Sequence, residues 1–129
     1  MKVITIKEPF ASLIANNIKH IETRSWKTNY RGKIYIHSSK VGHNLKGRDE
    51  LKELVKSIKT NPSHILCKCI LKDCIYMDEE FINKIKNNHI EYICGHYEVG
   101  RYAWILDNVE LITPIEAKGK LGIWNYEDK

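Results

Sequence analysis

The stretch "HILCKCILKDCIYM", residues 64 to 77, limits most sharply what this chain can fold into. Ile65, Cys67, Cys69 and Leu71 alternate with Leu66, Lys68, Ile70 and Lys72. That is the period of a β-strand, and the segment is long enough to organise a sheet. Two of the four cysteines share a face with two aliphatics, so the pattern predicts small buried thiols on the inner side of a long strand.

The rest of the chain reads as strands arriving singly, with helices inserted. "KVITI" alternates as a short strand, and Pro9 fits a first helical position. Phe10, Leu13, Ile14 and Ile18 follow helical spacing up to Asn17, a residue type that tolerates a left-handed closing conformation. In "KHIETR" a period of two places His20, Glu22 and Arg24 on one face and Lys19, Ile21 and Thr23 on the other. "GKIYIHSS" reads as a strand with Ile34 and Ile36 on one side. Leu51, Leu54, Val55 and Ile58 define an amphipathic helix over 45–58, and Asp78 caps another through Lys86, with Phe81, Ile82 and Ile85 inward. A loop covers "ICGHYEVG". "RYAWILDNVELI" is a strand with a bend at Asp107 and Asn108, and "PIEAKGKLGIW" closes the chain through glycine turns. Without strict βαβ alternation, this order predicts an α+β fold: a small mixed β-barrel with two to three inserted or flanking helices.

A length of 129 residues, 43% hydrophobic and 29% charged, predicts one domain over residues 1–129. The N-terminus lacks the apolar stretch of a signal peptide and no run is long enough for a membrane helix, so a cytoplasmic, monomeric protein is expected. The net charge of +5 is unevenly distributed. Residues 1–40 hold eight Lys or Arg against Glu8 and Glu22, a balance of +6, while residues 41–129 hold thirteen against fourteen, a balance of −1. A local cationic surface of this kind implies an anionic partner.

Lys19-x-x-Glu22-x-Arg24, directly after the first helix, resembles the G-x-K-x-x-E-x-R signature of ASCH (activating signal cointegrator homology) domains, with Asn17 where the signature has glycine. "IKEPFASLI", "RSWKTNYRGKIYIHSSK", "GRYAWILDNVELI" and "PIEAKGKLGIW" resemble further stretches of that family, in family order and over nearly the whole chain. The resemblance implies a PUA-like β-barrel, and PUA-like relatives bind RNA or modified bases. It therefore implies a module that binds RNA, other single-stranded nucleic acid, or a nucleoside or nucleotide.

The expected binding surface is a basic cleft around the signature. Lys19 and Arg24 offer cationic donors, and Glu22 offers a carboxylate for a base amino group or a proton. Ser25, Trp26 and Lys27 combine a flat apolar ring with phosphate-seeking charge, the combination that stacks unpaired bases. Tyr30, Arg31, His37, Ser38, Ser39 and Lys40 are expected around the same surface. Trp104 and Trp124 are expected as packing residues.

The alternative is a hydrolase of the same fold. Some small ASCH-like proteins are amidohydrolases on acetylated cytidine, using a lysine, a threonine and a glutamate, and others act as ribonucleases. Lys19 and Glu22 are the catalytic candidates in that case. That threonine, three residues after the lysine, corresponds to Glu22 here, and Thr23 is one position off. A non-catalytic protein-interaction domain is a third option. Cys67-x-Cys69 with Cys74, and Cys94-x-His96, lack the C-x₂₋₄-C spacing of zinc knuckles, so no metal and no cofactor is expected.

Overall fold

The computed structural model describes residues 1–127. In chain order the elements are β1 (Lys2–Ile6), α1 (Phe10–Ala15), β2 (Ile21–Arg24), β3 (Gly32–Ser38) and α2 (Asp49–Val55), then β4 (His64–Tyr76), α3 (Glu79–Lys86), α4 (His89–Ile93), β5 (Tyr102–Glu116) and β6 (Ile123–Asn125). The strands form one sheet in the order β2-β5-β4-β3-β1-β6. β1 runs parallel to β3, and every other pairing is antiparallel.

The sheet is a curled half-barrel, giving the α+β, PUA-like fold. Its curvature is visible in one bond. β2 and β1 are separated by three strands in the sheet order, yet the Arg24 guanidinium on β2 donates to the Thr5 carbonyl on β1 at 2.8 Å. The main core fills the concave side, where Ile4, Ile34, Ile36, Cys67, Cys69 and Trp104 pack with Ile14 of α1.

The long alternating segment is β4, with one departure from strict alternation. Ile36 pairs with Cys67 but His37 pairs with Ile65, so Leu66 is an extra residue on β4. This bulge reverses the face of what precedes it. Leu66 joins Cys67 in the main core, while Ile65 packs with Val3 and Trp124 in a separate cluster. Ile65 therefore does not share the cysteines' face as simple alternation predicts. The bend expected at Asp107 and Asn108 is present: Asn108 has φ 51° and the pairing shifts register there.

Two helical expectations change. The helix expected over 45–58 is confined to Asp49–Val55, because Gly47 takes a left-handed φ of 80° and breaks the backbone before it. Leu45 and Ile58 still pack with Leu51 in the same cluster. Among the described residues there are four helices, one more than the two to three expected, the additional one being α4, capped by the Asn88 side chain accepting from Glu91 N–H at 3.3 Å. Pro9 stands just before α1 rather than inside it. The buried Glu8 carboxylate satisfies the helix start, accepting from Ser12 N–H at 2.8 Å and from Asn61 N–H at 3.0 Å.

Trp104 and Trp124 are packing residues, 1% and 7% exposed. All four cysteines are buried free thiols. No helix among the described residues is long and apolar enough to cross a membrane.

Candidate functional site

A cleft of about 1040 Å³ opens between α1, β2, the turn into α2, the 92–97 segment and the loop at 120–122. Its deepest charged group is Lys19. Asn17 has φ 60°, the left-handed closure its side chain tolerates, and this turns the chain between α1 and β2. Lys19 precedes the first residue of β2, so the alternation of "KHIETR" does not govern it. Its side chain points with Glu22 and not away from it.

Lys19 is 1% exposed, and its Nζ donates to the Cys94 carbonyl at 2.6 Å. The same Nζ lies 3.9 Å from Glu22 Oε1 and 5.5 Å from the centre of the Phe10 ring. Burial holds the ammonium below its ordinary pKa, while Glu22 and Glu91 oppose that shift. Glu22, itself buried, places Oε2 3.0 Å from Arg24 Nε. The signature is thus a charged row, Lys19–Glu22–Arg24, tied at one end to the 94 backbone and at the other to β1.

Several residues that build the site carry no signal in the sequence. Glu91, buried on α4, accepts from the backbone N–H groups of His20 (2.9 Å) and Ile21 (3.3 Å), fixing the entry to β2. Arg48 donates to the carbonyls of Ile93 (2.8 Å) and Gly95 (3.2 Å), and its guanidinium lies 5.4 Å from the Phe10 ring centre. Arg101 donates to the carbonyls of His96 and Thr23. Each is remote in sequence from the signature; the fold brings Arg48 and Arg101 to the cleft wall and Glu91 to the backbone behind it.

Among the expected residues, Lys19, Glu22, Arg24, Ser25, Trp26 and Ser39 line the cleft. Trp26 is 37% exposed and meets Trp104 edge-on, with ring centres 4.8 Å apart and an interplanar angle of 85°. Trp104 Nε1–H donates to the Trp26 carbonyl at 3.4 Å. Thr23 also reaches the cleft wall, where its Oγ1 accepts from His96 N–H at 3.1 Å.

The other expected residues lie outside the main cleft. Lys27 is exposed beside Trp26. Tyr30 Oη donates to the Lys33 carbonyl, and Arg31 donates to Thr28 O at 3.0 Å and faces Asp73 at 3.5 Å. Ser38 is fully buried and bonded to the Asn61 and His64 carbonyls. His37 is 1% exposed and bonded to the Ala117 carbonyl at 2.7 Å. Lys40 lines a smaller neighbouring cavity.

The cleft has a cationic balance. Lys7, Lys19, Arg24, Arg48, Arg101 and Lys120 line it against the carboxylates of Glu22, Asp49 and Glu50. The His43 imidazole, on the same wall, is held below its ordinary pKa, first by burial and then by Arg48 and Lys7. Among the described residues no group of three or more His, Cys, Asp or Glu side chains is arranged to hold a metal.

This curled sheet is the fold of the ASCH domain, whose family model matches residues 4–116, and the chain belongs to that family. Curated relatives include activating signal cointegrator 1 of Homo sapiens and of Mus musculus, each 24% identical over 140 residues. These alignments cover 98% of this chain but 22% of either relative, so the chain spans about a fifth of their length. Among solved structures, an ASCH protein of Zymomonas mobilis shares the fold with a TM-score of 0.58 at 18% identity, covering 89% of this chain and 72% of that one. A point variant of the Zymomonas protein gives 0.55 at 18% identity over the same shares.

Proposed function

We propose that this domain is a nucleic-acid-binding module that holds single-stranded RNA, or a nucleotide fragment of it, in the cleft around Lys19, Glu22 and Arg24. The observation that carries this reading is the excess of cations over carboxylates along one open cleft that also presents the half-open face of Trp26. Lysine and arginine on the walls neutralise phosphates, and the indole offers a surface for an unpaired base. At the base of the cleft Lys19 and Glu22 present a donor and an acceptor side by side, which suits the mixed edge of a nucleobase. ASCH domains are generally held to bind RNA, which favours RNA over DNA.

The test is titration of a labelled short RNA over a range of salt concentrations. Replacing Lys7 and Lys120 at the cleft rim by alanine is expected to flatten the dependence of log K on log salt by about 0.7 per lost contact. Replacing Lys52 on α2 and Lys56 just after it, both outside the cleft, is expected to change it little. Equal effects from both pairs would contradict a binding cleft.

A hydrolase on the same site is the second reading, and one observation favours it: a buried lysine of lowered pKa beside a carboxylate, with the Thr23 hydroxyl on the adjoining wall. Such a pair can transfer a proton and stabilise developing charge on acetylated cytidine or an RNA phosphodiester.

A further inference from the structure

Beside the main cleft lies a second, smaller cavity of about 360 Å³, walled by the end of β3 and the loop that joins β5 to β6. Its charged residues are Lys40, Lys118 and Lys120, with no carboxylate among its lining. It adjoins the main cleft, since Thr5, Ser39, Lys120 and Leu121 border both. Leu121, 98% exposed, stands at the junction.

The loop carrying Lys118 and Lys120 is anchored at both ends. Trp124 Nε1–H donates to Thr5 Oγ1 at 3.0 Å. The Thr5 hydroxyl lies 3.2 Å from His37 Nδ1, and His37 Nε2 lies 2.7 Å from the Ala117 carbonyl. A carbonyl only accepts, so Nε2 carries the proton and Nδ1 accepts from Thr5, whose oxygen accepts from the indole in turn. Ala117 N–H donates to the Ser63 carbonyl at 3.0 Å. At Gly119 the backbone lies so close to β1 and β3 that a Cβ would stand 3.0 Å from both Thr5 and His37. His37, expected from sequence as a ligand donor, thus has its polar atoms committed to holding this loop.

We infer that the cavity at Lys40, Lys118 and Lys120 is a phosphate-binding extension of the main cleft, through which the backbone of a single-stranded nucleic acid passes on leaving the Trp26 and Lys19 region. The inference rests on the nucleic-acid reading of the main cleft. Three exposed lysines border one small concavity that no carboxylate lines, with the Lys120 ammonium 5.9 Å from the centre of the Trp124 ring, and a phosphodiester there meets only positive charge. Its consequence is a length dependence: a dinucleotide is held by the main cleft alone, and a longer strand also reaches the lysines.

The experiment measures the affinity of random-sequence RNA oligomers, from dinucleotide to octanucleotide, for the wild-type domain and for Lys40→Ala/Lys118→Ala. Both residues are exposed, so the fold is expected to survive. For the octanucleotide the double variant is expected to bind roughly tenfold more weakly at low salt, with a log K against log salt slope shallower by about 1.4, or 0.7 per contact. For the dinucleotide its affinity is expected to equal that of the wild type. An unchanged octanucleotide affinity, or an equal loss for both lengths, overturns the extension while leaving the main-cleft reading intact. Failure of the wild type to bind any oligomer overturns the main-cleft reading, and the extension with it.

Discussion

Lys19 Nζ reaches across seventy-five positions of sequence to the carbonyl of Cys94 at 2.6 Å, and through this bond the signature and the 92–97 segment become one wall. The ammonium is buried, and Glu22 at 3.9 Å is its carboxylate neighbour. Lys19→Ala leaves the Cys94 carbonyl unpaired and the buried Glu22 with Arg24 alone, so the substitution is expected to destabilise the fold by about 3 kcal/mol. Urea unfolding measures this. A loss below about 1 kcal/mol would show that Lys19 is held loosely and that the wall does not depend on it.

Glu22→Gln, which preserves shape, separates binder from hydrolase. In a binding module it is expected to change RNA affinity by about 1–3 kcal/mol, with no product formed from acetylated cytidine or short RNA. Chromatography of the incubated substrates decides the matter. Deacylation or cleavage by the wild type, slowed a hundredfold or more by Glu22→Gln with binding intact, would make Glu22 a catalytic residue.

How the sequence encodes this site can be traced residue by residue. The period of β4 and the spacing of α1 are local signals, and both elements form, α1 being shorter at each end than its spacing from Pro9 to Asn17 predicts. The bulge at Leu66 was hidden because Ile65 and Leu66 are both apolar, so alternation does not reveal which one is the extra residue. A strand period over "KHIETR" places Lys19 on the face opposite Glu22, but the strand begins only at Ile21 and Lys19 lies outside it. Arg48, Arg101 and Lys120 on the cleft wall, and Glu91 on the backbone of His20 and Ile21, are not legible, since long-range packing places each with no spacing relation to Lys-x-x-Glu-x-Arg. Conversely, Tyr30, Arg31 and His37 lie near the signature in sequence, but local bonds to Lys33 and Thr28, and a long-range bond from His37 to Ala117, hold their polar atoms outside the cleft.

The buried thiols give a pH prediction. Burial pushes Cys67 and Cys69 up from 9.0 to about 12, so the unfolded chain releases their protons first as pH rises. Their contribution is fully present below pH 9.0 and is lost as pH climbs through about 12. Lys19, with its lowered pKa, acts in the opposite sense, adding stability as pH rises toward 10.5. Comparison with Cys67→Ala/Cys69→Ala isolates the thiols: the variant is expected to be less stable near neutrality but to lose less stability across this alkaline window. Parallel curves would contradict the assignment.

Trp26 is expected to supply stacking. Trp26→Ala is expected to weaken RNA binding by about 1–3 kcal/mol, and Trp26→Phe is expected to recover most of the loss, because a flat ring is retained. Fluorescence anisotropy with a labelled oligomer reads both. A Trp26→Ala loss below about 0.5 kcal/mol would assign the indole to packing against Trp104.

The central claim, that RNA occupies this cleft, is tested most directly by the indole N–H resonances of the three tryptophans. Trp26 lines the cleft, Trp104 reports on it through its bond to the Trp26 carbonyl, and Trp124 is buried with its N–H on Thr5. On addition of a short single-stranded RNA to the labelled protein, with Trp26→Phe providing the assignment, the Trp26 signal is expected to shift most, Trp104 less and Trp124 least. Saturable binding that leaves Trp26 and Trp104 unmoved would place the RNA elsewhere and contradict the account.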